Sequence, residues 1–132
     1  MNNEINYWLV GASWDGSDHQ DKEFIENKIW VLGYQENESK QQYQKAQKIK
    51  KNDRIAIKRM MGKGSPEIKI LHIGIVEGVV DYGNLVICVV NWLVVNKNKT
   101  IESKGCFASI HGPYKIGSSI EKDNWLNDIF SL

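Results

Sequence analysis

The sequence predicts one α+β domain over residues 1–132, built on a small, curved, mixed β-barrel of about five strands with flanking helices. Three observations predict this class. A length of 132 residues is typical of one domain. Predicted strands dominate the second half of the chain, whereas two predicted helices lie together in the first half. The strand candidate at residues 85–95 is apolar on both of its faces, which is typical of a strand in a covered sheet or a closed barrel.

The first half begins with a strand and continues with two helices. Residues 6–13 are aromatic and branched, which favours a strand. A short helix is predicted over residues 18–28, capped by Asp18, and residues 29–34 form a tight apolar connection. The second helix, residues 39–49, begins with the spacing of a capping box.

The second half is predicted to be mainly strands. Residues 54–58 alternate between apolar and polar side chains, which indicates a half-buried strand. Residues 68–80 form a long strand in which Gly74 and Gly78 mark places where a barrel can bend. The two-sided apolar strand follows, and residues 107–116 are predicted as the last strand.

A final helix closes the chain. Ser118 and Glu121 have the spacing of a capping box. The side chains predicted on its buried face are Ile120, Trp125, Leu126, Ile129 and Phe130.

Composition excludes several classes of protein. Apolar residues make up 42% of the chain and charged residues 25%, close to the average of globular proteins, so the chain is neither disordered, collagen-like nor a coiled coil. Its longest apolar run is too short to span a bilayer, and the first residues lack a secretory signal. Two cysteines without an export signal favour reduced thiols and a cytoplasmic location.

Motifs for catalysis are missing from the sequence. There is no phosphate-binding P-loop, no Gly-x-Ser-x-Gly elbow and no His-Glu-x-x-His helix. The single cysteines Cys88 and Cys106 and three scattered histidines have no metal-ligand spacing. His72, between two apolar residues, is more typical of a core histidine than of a catalyst. We therefore expect no enzyme activity, cofactor or metal.

Charge is unevenly distributed along the chain. Residues 1–38 contain eight acidic and two basic side chains, whereas residues 39–69 contain ten basic and two acidic ones. The central segment indicates one positive face, or else only a solvated helix and loop. If it is a face, the side chains placed to contact phosphates are Lys50, Lys51, Arg54, Arg59 and Lys63.

Large aromatic residues lie where predicted strands meet loops. Trp14 directly follows the first strand, and Trp30 and Tyr34 flank a short connection. Such rings either belong to the core and close a barrel end, or form the walls of a pocket for a planar ligand. Aromatic walls beside basic residues are the arrangement expected of proteins that flip out a base and bind it in a pocket.

Several segments together resemble an EVE-like domain of the PUA superfold, over nearly the whole chain. They are Tyr7–Trp14, Phe24–Glu26 with Ile29 and Trp30, Gly33 with Tyr34, Asn52–Lys58, Gly74–Val76 and Gly112–Tyr114. Asn52 departs from the glycine that is usual in the family's turn before the strand. EVE-like domains are related to YTH domains, which read methylated adenine in RNA. They occur alone and at the N-termini of McrB-type modification-dependent restriction ATPases.

The resemblance implies a nucleic-acid reader that holds a modified base, such as a methylated one, in an aromatic cage without altering it. It implies Trp14 and Trp30 as cage walls and Tyr34 as a third wall. Ser13 would present polar groups to the edge of the base, and Lys58 would lie at the rim. A role in restriction or defence would then require an ATPase or nuclease module, either in trans or in a longer parent chain.

Other functions remain open at the level of sequence. One is a PUA-like RNA-binding accessory factor without specificity for a modification. Another is a protein-interaction domain whose basic face meets an acidic partner. An enzyme of the related ASCH type is disfavoured because the Gly-x-Lys-x-x-Glu-x-Arg pattern is missing.

Overall fold

The computed structural model describes residues 4–14, 18–32, 40–62, 64–83 and 85–132. The described residues form nine strands and three helices. In chain order these are β1 Tyr7–Gly11, β2 Ser13–Trp14, β3 Asp18–His19, α1 Asp21–Asn27, β4 Ile29–Leu32, α2 Lys40–Ala46, β5 Arg54–Met60, β6 Glu67–Asp81, β7 Val86–Val94, β8 Lys99–Glu102, β9 Ile110–Tyr114 and α3 Ile120–Phe130.

One large sheet organises the molecule. Its strands follow the order β4-β7-β6-β5-β1-β9, and β8 pairs with β6 outside this path. The β1–β5 pair is parallel, and the other pairs in this sheet are antiparallel. The sheet curls into a half-barrel, so the predicted α+β class and mixed, curved sheet are confirmed at this level of detail.

The long strand β6 bends at the predicted glycines. Its pairing with β7 shifts register next to Gly74 and next to Gly78, and such bulges increase local twist. A Cβ atom added to Gly74 would lie 2.5 Å from Cγ1 of Val90 and 2.7 Å from the carbonyl oxygen of Asn91. Only glycine therefore lets the two strands approach this closely.

Alternate residues of β1 and β5 pack into two separate apolar cores. Trp8 and Ile55 belong to the first core, together with Trp30 of β4. Leu9 and Ala56 belong to the second core, which α3 covers with Trp125, Leu126 and Ile129. The two strands that carry the candidate site are thus held from both faces.

A buried carboxylate fixes the start of the parallel pair. Asp53 is fully buried and accepts hydrogen bonds from the backbone N–H of Asn6, at 3.2 Å, and from Nε1 of Trp8, at 2.9 Å. It also forms an ion pair with Lys50, with Nζ 2.6 Å from Oδ1. This acidic residue joins β1 to β5 and sets their register.

Several predicted elements are corrected by the structure. The segment expected as an apolar connection contains strand β4, because Ile29–Leu32 pairs with β7. Strand β8 was not predicted from the sequence; it pairs with β6 and raises the number of strands in the main sheet to seven. Helix α1 begins at Asp21, after Gln20, and Asp18 lies in β3, so Asp18 is not its cap.

The final helix also differs in detail. Its cap is Ser119, whose Oγ accepts a hydrogen bond from the backbone N–H of Lys122 at 3.1 Å, so the predicted cap at Ser118 is one residue too early. Ile120 is 82% exposed, which contradicts its prediction as a buried residue. Trp125, Leu126 and Ile129 are buried as predicted, because they project from the helix onto the second core.

Strand β7 is covered on only one face. Val90 is fully buried, whereas Val89 is 39% and Leu93 43% exposed. The prediction that residues 85–95 are buried on both faces is therefore wrong. Apolar composition alone does not show whether another layer covers the outer face of a sheet.

Candidate functional site

The carboxyl ends of the two parallel strands meet at one end of the sheet. Gly11, the last residue of β1, lies opposite Lys58 of β5. The backbone N–H of Gly11 also donates to the carbonyl oxygen of Ser109, at 2.8 Å, just before β9 begins. Carboxyl ends of parallel strands are frequent positions for ligands in sheet proteins, because neighbouring loops open there.

Lys58 is the most unusual residue at this end. Its side chain is buried, with only 5% of the residue exposed. Among the described residues, none accepts a hydrogen bond from its Nζ or forms an ion pair with it. Burial lowers the pKa of Lys58 from 10.5 to about 8, because the charged form loses hydration.

Within the described ranges, no carboxylate acts on the charge of Lys58. The neighbouring thiol of Cys106 stays neutral at pH 7, because burial raises its pKa. Burial and the positive charges of Lys58 and Lys45 lower the pKa of His111 to about 4, so the imidazole is neutral at pH 7. The site is therefore a small cationic centre at the edge of the second core.

The structure brings Ser13 to the same end of the sheet. Ser13 follows Gly11 by two residues, and its Oγ lies 2.6 Å from Nδ1 of His19. The backbone of Trp14 continues β2 and pairs with Asp18. The side chain of Trp14 and the whole of Tyr34 lie outside the described residues, so their roles as cage walls stay predictions.

Trp30 does not form an open wall. Its side chain is fully buried in the first core, and its Nε1 donates a hydrogen bond to the carbonyl oxygen of Gly11 at 2.9 Å. A ring with no exposed face cannot stack on an incoming base, so the structure contradicts its prediction as a cage wall. Instead, Trp30 anchors the end of β1 on which the site is built.

The predicted phosphate contacts are divided between the two ends of β5. Lys50, Lys51 and Arg54 lie at its start, whereas Arg59 lies near its end. Arg54 and Arg59 are separated by about 17 Å, the length of five residues of extended chain. Lys50 is held by Asp53, whereas Lys51 is exposed in the turn before the strand. These residues do not form the one continuous face that was predicted from charge.

Arg59 is already paired within the domain. Its guanidinium lies 2.7 Å from Oδ1 of Asp21, and Oδ2 of the same carboxylate lies 2.9 Å from Nε2 of His72. The carboxylate therefore joins α1 to β5 and β6, and His72 is the buried core histidine that the sequence indicates. Lys63 lies outside the described residues.

Sequence reasoning missed two members of the site. His111 lies in β9 and Lys45 in α2, and neither belongs to a motif. Only the pairing of β9 with β1 brings His111 near Lys58. The sequence could indicate Lys58 as a site residue, because this lysine follows apolar residues in a predicted strand. The sequence could not show that Lys58 has no partner among the described residues.

Two cavities lie on the side of α3. One cavity, of about 310 Å³, is lined by Tyr7, Arg54 and Phe130 among others. Arg54, which the sequence analysis predicts as a phosphate contact, therefore lines a cavity. The other, of about 750 Å³, lies between α3 and β8 and is bordered by Glu67, Glu102, Glu121 and Asp128. Neither cavity includes Lys58.

No protein-family model matches the chain, and no curated protein matches it either. In the part of the chain that the structure describes, no helix is long and apolar enough to cross a membrane. The same residues contain no group of three or more His, Cys, Asp and Glu side chains that could hold a metal ion.

Proposed function

We propose that this domain binds nucleic acid and receives one nucleotide at the end of the sheet that holds Lys58. The observation that carries the proposal is the buried ammonium group without a partner among the described residues. Lysine is seldom buried unless it is paired, because an unpaired charge loses its hydration without compensation. A ligand with negative or strongly electronegative oxygen atoms supplies that compensation.

The comparison with the other cations supports a ligand role for Lys58. Five other lysines and arginines of the described structure contact carboxylates, in the pairs Lys50–Asp53, Arg59–Asp21, Lys99–Asp128, Lys104–Glu121 and Lys115–Glu4. Lys58 is more buried than any of these and has no such partner. This difference in burial and pairing favours a role for the Lys58 ammonium group as a hydrogen-bond donor to a ligand.

The resemblance to EVE-like domains supports nucleic acid as the source of that acceptor. We propose that Ser13 and Trp14, in the hairpin beside the site, contact the base, and that a modified base is the preferred ligand. A sandwich between two indole rings is not part of this proposal, since Trp30 belongs to the core. Restriction or defence would require a separate catalytic module.

Replacing Lys58 with methionine tests the proposal, because methionine has a similar length and no charge. Loss of a charged hydrogen bond costs about 1.5–3 kcal/mol, so we expect affinity for an oligonucleotide to fall by about tenfold or more. Fluorescence anisotropy with methylated and plain DNA and RNA measures the affinity. Lys115→Met is the matched control, because Lys115 is an exposed lysine beyond the opposite end of β9. Unchanged binding by Lys58→Met would contradict the proposal.

A protein-interaction function is the second candidate, and a different surface favours it. Val80, Val89 and Leu93 are each about two-fifths exposed on the outer side of β6 and β7. Exposed apolar side chains on an uncovered sheet face mark a protein contact where they form a patch. If no nucleic acid binds at any salt concentration, while Val89→Lys abolishes association with a partner protein, this second function is the correct one.

A further inference from the structure

A cavity of about 310 Å³ opens at the edge of the second core, between α3 and the strands of the main sheet. Its apolar lining includes Ile73 of β6, Leu93 of β7 and Phe130 of α3. Ligand pockets in proteins measure about 300–1,000 Å³. The cavity lies at the small end of this range, so its size fits a molecule of one or two rings.

Arg54 is the one charged side chain among the residues that line this cavity. Its Nη1 donates a hydrogen bond to the carbonyl oxygen of Asn52, and no other described residue accepts a hydrogen bond from the guanidinium group. None of the ion pairs of the described residues includes Arg54. A guanidinium group has five N–H donors in a planar fork that matches two oxygen atoms of a carboxylate or phosphate. Arg54 therefore favours an anionic group in the cavity.

The end of α3 beside the cavity does not require Arg54 for its own charge balance. The carbonyl end of a helix carries partial negative charge, which repels anions. Nζ of Lys97 donates to the carbonyl oxygen of Ser131, and Nζ of Lys99 donates to that of Asp128, at 2.9 Å. Lys99 also forms an ion pair with the carboxylate of Asp128. Two lysines thus offset the negative charge of this helix end.

Aromatic rings add a flat apolar surface to the lining. The rings of Tyr7 and Phe130 meet edge to face, with centroids 5.0 Å apart and an angle of 64° between their planes. Rings fixed in such an arrangement pack well against a further ring. The cavity therefore combines one cation with a surface suited to a flat, apolar molecule.

We infer that this cavity binds a small organic anion, in which one carboxylate or phosphate group is attached to a flat apolar ring system. The anionic group contacts Arg54, and the ring system lies among the apolar side chains that line the cavity. This binding site is separate from Lys58, which does not line the cavity, and it does not depend on the proposed nucleic-acid binding.

Three probes with the same ring system test the inference on the unmodified protein. They are 2-naphthoate, 2-naphthyl phosphate and the uncharged 2-naphthalenemethanol. Titrations followed by NMR measure the dissociation constants and show which backbone N–H resonances shift. We expect at least one of the two anions to bind about tenfold tighter than the alcohol, because it gains charged hydrogen bonds to Arg54. The resonances that shift should be those of residues lining the cavity.

Variants connect the binding to this cavity. Arg54→Gln should remove the preference for an anion over the alcohol, whereas Arg54→Lys should retain part of it, because lysine keeps the charge without the fork. Leu93→Glu should abolish binding of the anions, because it places a negative charge at the cavity. Leu93 is 43% exposed, so this change should leave the fold intact. Lys22→Gln, at an exposed position of α1, is the matched control and should change no affinity.

The outcomes decide the inference independently of nucleic-acid binding. Tighter binding of the phosphate or of the carboxylate supports it and identifies the preferred anionic group. Equal binding of all three probes overturns it, as does an anion preference that persists in Arg54→Gln and Leu93→Glu. Shifts confined to residues outside the cavity, or no binding of any probe up to its solubility, overturn it as well. Circular dichroism of each variant checks that a lost affinity does not reflect a lost fold.

Discussion

At the scale of the residue, Lys58 is a local conflict between stability and a binding role. A lysine placed at the end of an apolar strand loses hydration when the chain folds, and no described residue compensates for that loss. Its neighbours Cys106 and His111 are neutral at pH 7, because burial moves the pKa of each in the direction of its uncharged form. The folded domain therefore carries a destabilising charge that a ligand would relieve.

This conflict predicts how the stability of the protein depends on pH. The pKa of Lys58 is about 8 in the folded state and 10.5 in the unfolded state, so the unfolded chain binds more protons between these values. The free energy of unfolding that Lys58 contributes should therefore rise as pH increases from 8 to 10.5, by on the order of 3 kcal/mol. Urea unfolding of the wild type and of Lys58→Met over pH 7–10.5 measures the effect as a difference, in which the other titrating groups cancel. A difference that stays constant with pH would show that Lys58 is hydrated in the folded state.

At the scale of the element, α3 shows what sequence periodicity predicts well. The helix begins one residue after its Ser119 cap and runs over Ile120–Phe130. Its buried side chains cover the second core, and Nε1 of Trp125 donates to the carbonyl oxygen of Glu102 at 2.9 Å. Trp125 thus contributes both apolar contact and a hydrogen bond that joins α3 to β8.

Trp125→Ala should lower the free energy of unfolding by about 3–5 kcal/mol, because it leaves a large cavity and an unpaired carbonyl oxygen. Ile120→Ala in the same helix is the matched control. With Ile120 82% exposed, its replacement should change stability by no more than about 0.5 kcal/mol. Chemical denaturation followed by tryptophan fluorescence and by circular dichroism compares the two. Equal losses for both variants would mean that α3 does not pack on the sheet as the structure shows.

Short strands are the elements that periodicity predicts poorly. β4 has four residues and β8 has four, so neither repeats its pattern often enough to be distinguished from a connection. Each exists because a longer strand, β7 or β6, offers it a pairing edge. Their positions depend on the sheet and not on local sequence.

At the scale of the whole molecule, the cations are arranged differently from their order in the sequence. The most basic segment of the sequence, residues 39–69, includes β5. Its basic side chains therefore lie partly at the start and partly at the end of this strand. Lys50 and Arg59 also have structural carboxylate partners. Lys51, in the turn that precedes β5, is exposed, and none of the ion pairs of the described residues includes it.

Lys51→Ala should therefore test phosphate contact without disturbing the fold. If Lys51 contacts a phosphate, the slope of log affinity against log salt concentration should become shallower by about one unit, and by the same amount for all base sequences. Binding titrations at four or five salt concentrations measure the slope, with Lys115→Ala as the control. An unchanged slope and affinity would show that Lys51 is only a solvated side chain.

The sequence by itself determined the class of the domain, its main strands, its glycine bends and the buried face of its last helix. These features depend on periodicity, turn residues and capping, which act between residues close in the chain. Only the tertiary structure decided that Trp30 is enclosed, that β7 has an uncovered face, and that Arg59 is paired with Asp21. It alone placed His111 beside Lys58 and left that lysine without a partner among the described residues. The physical reason is that burial and pairing depend on which strands become neighbours, and the neighbours β1, β5 and β9 are far apart in the chain.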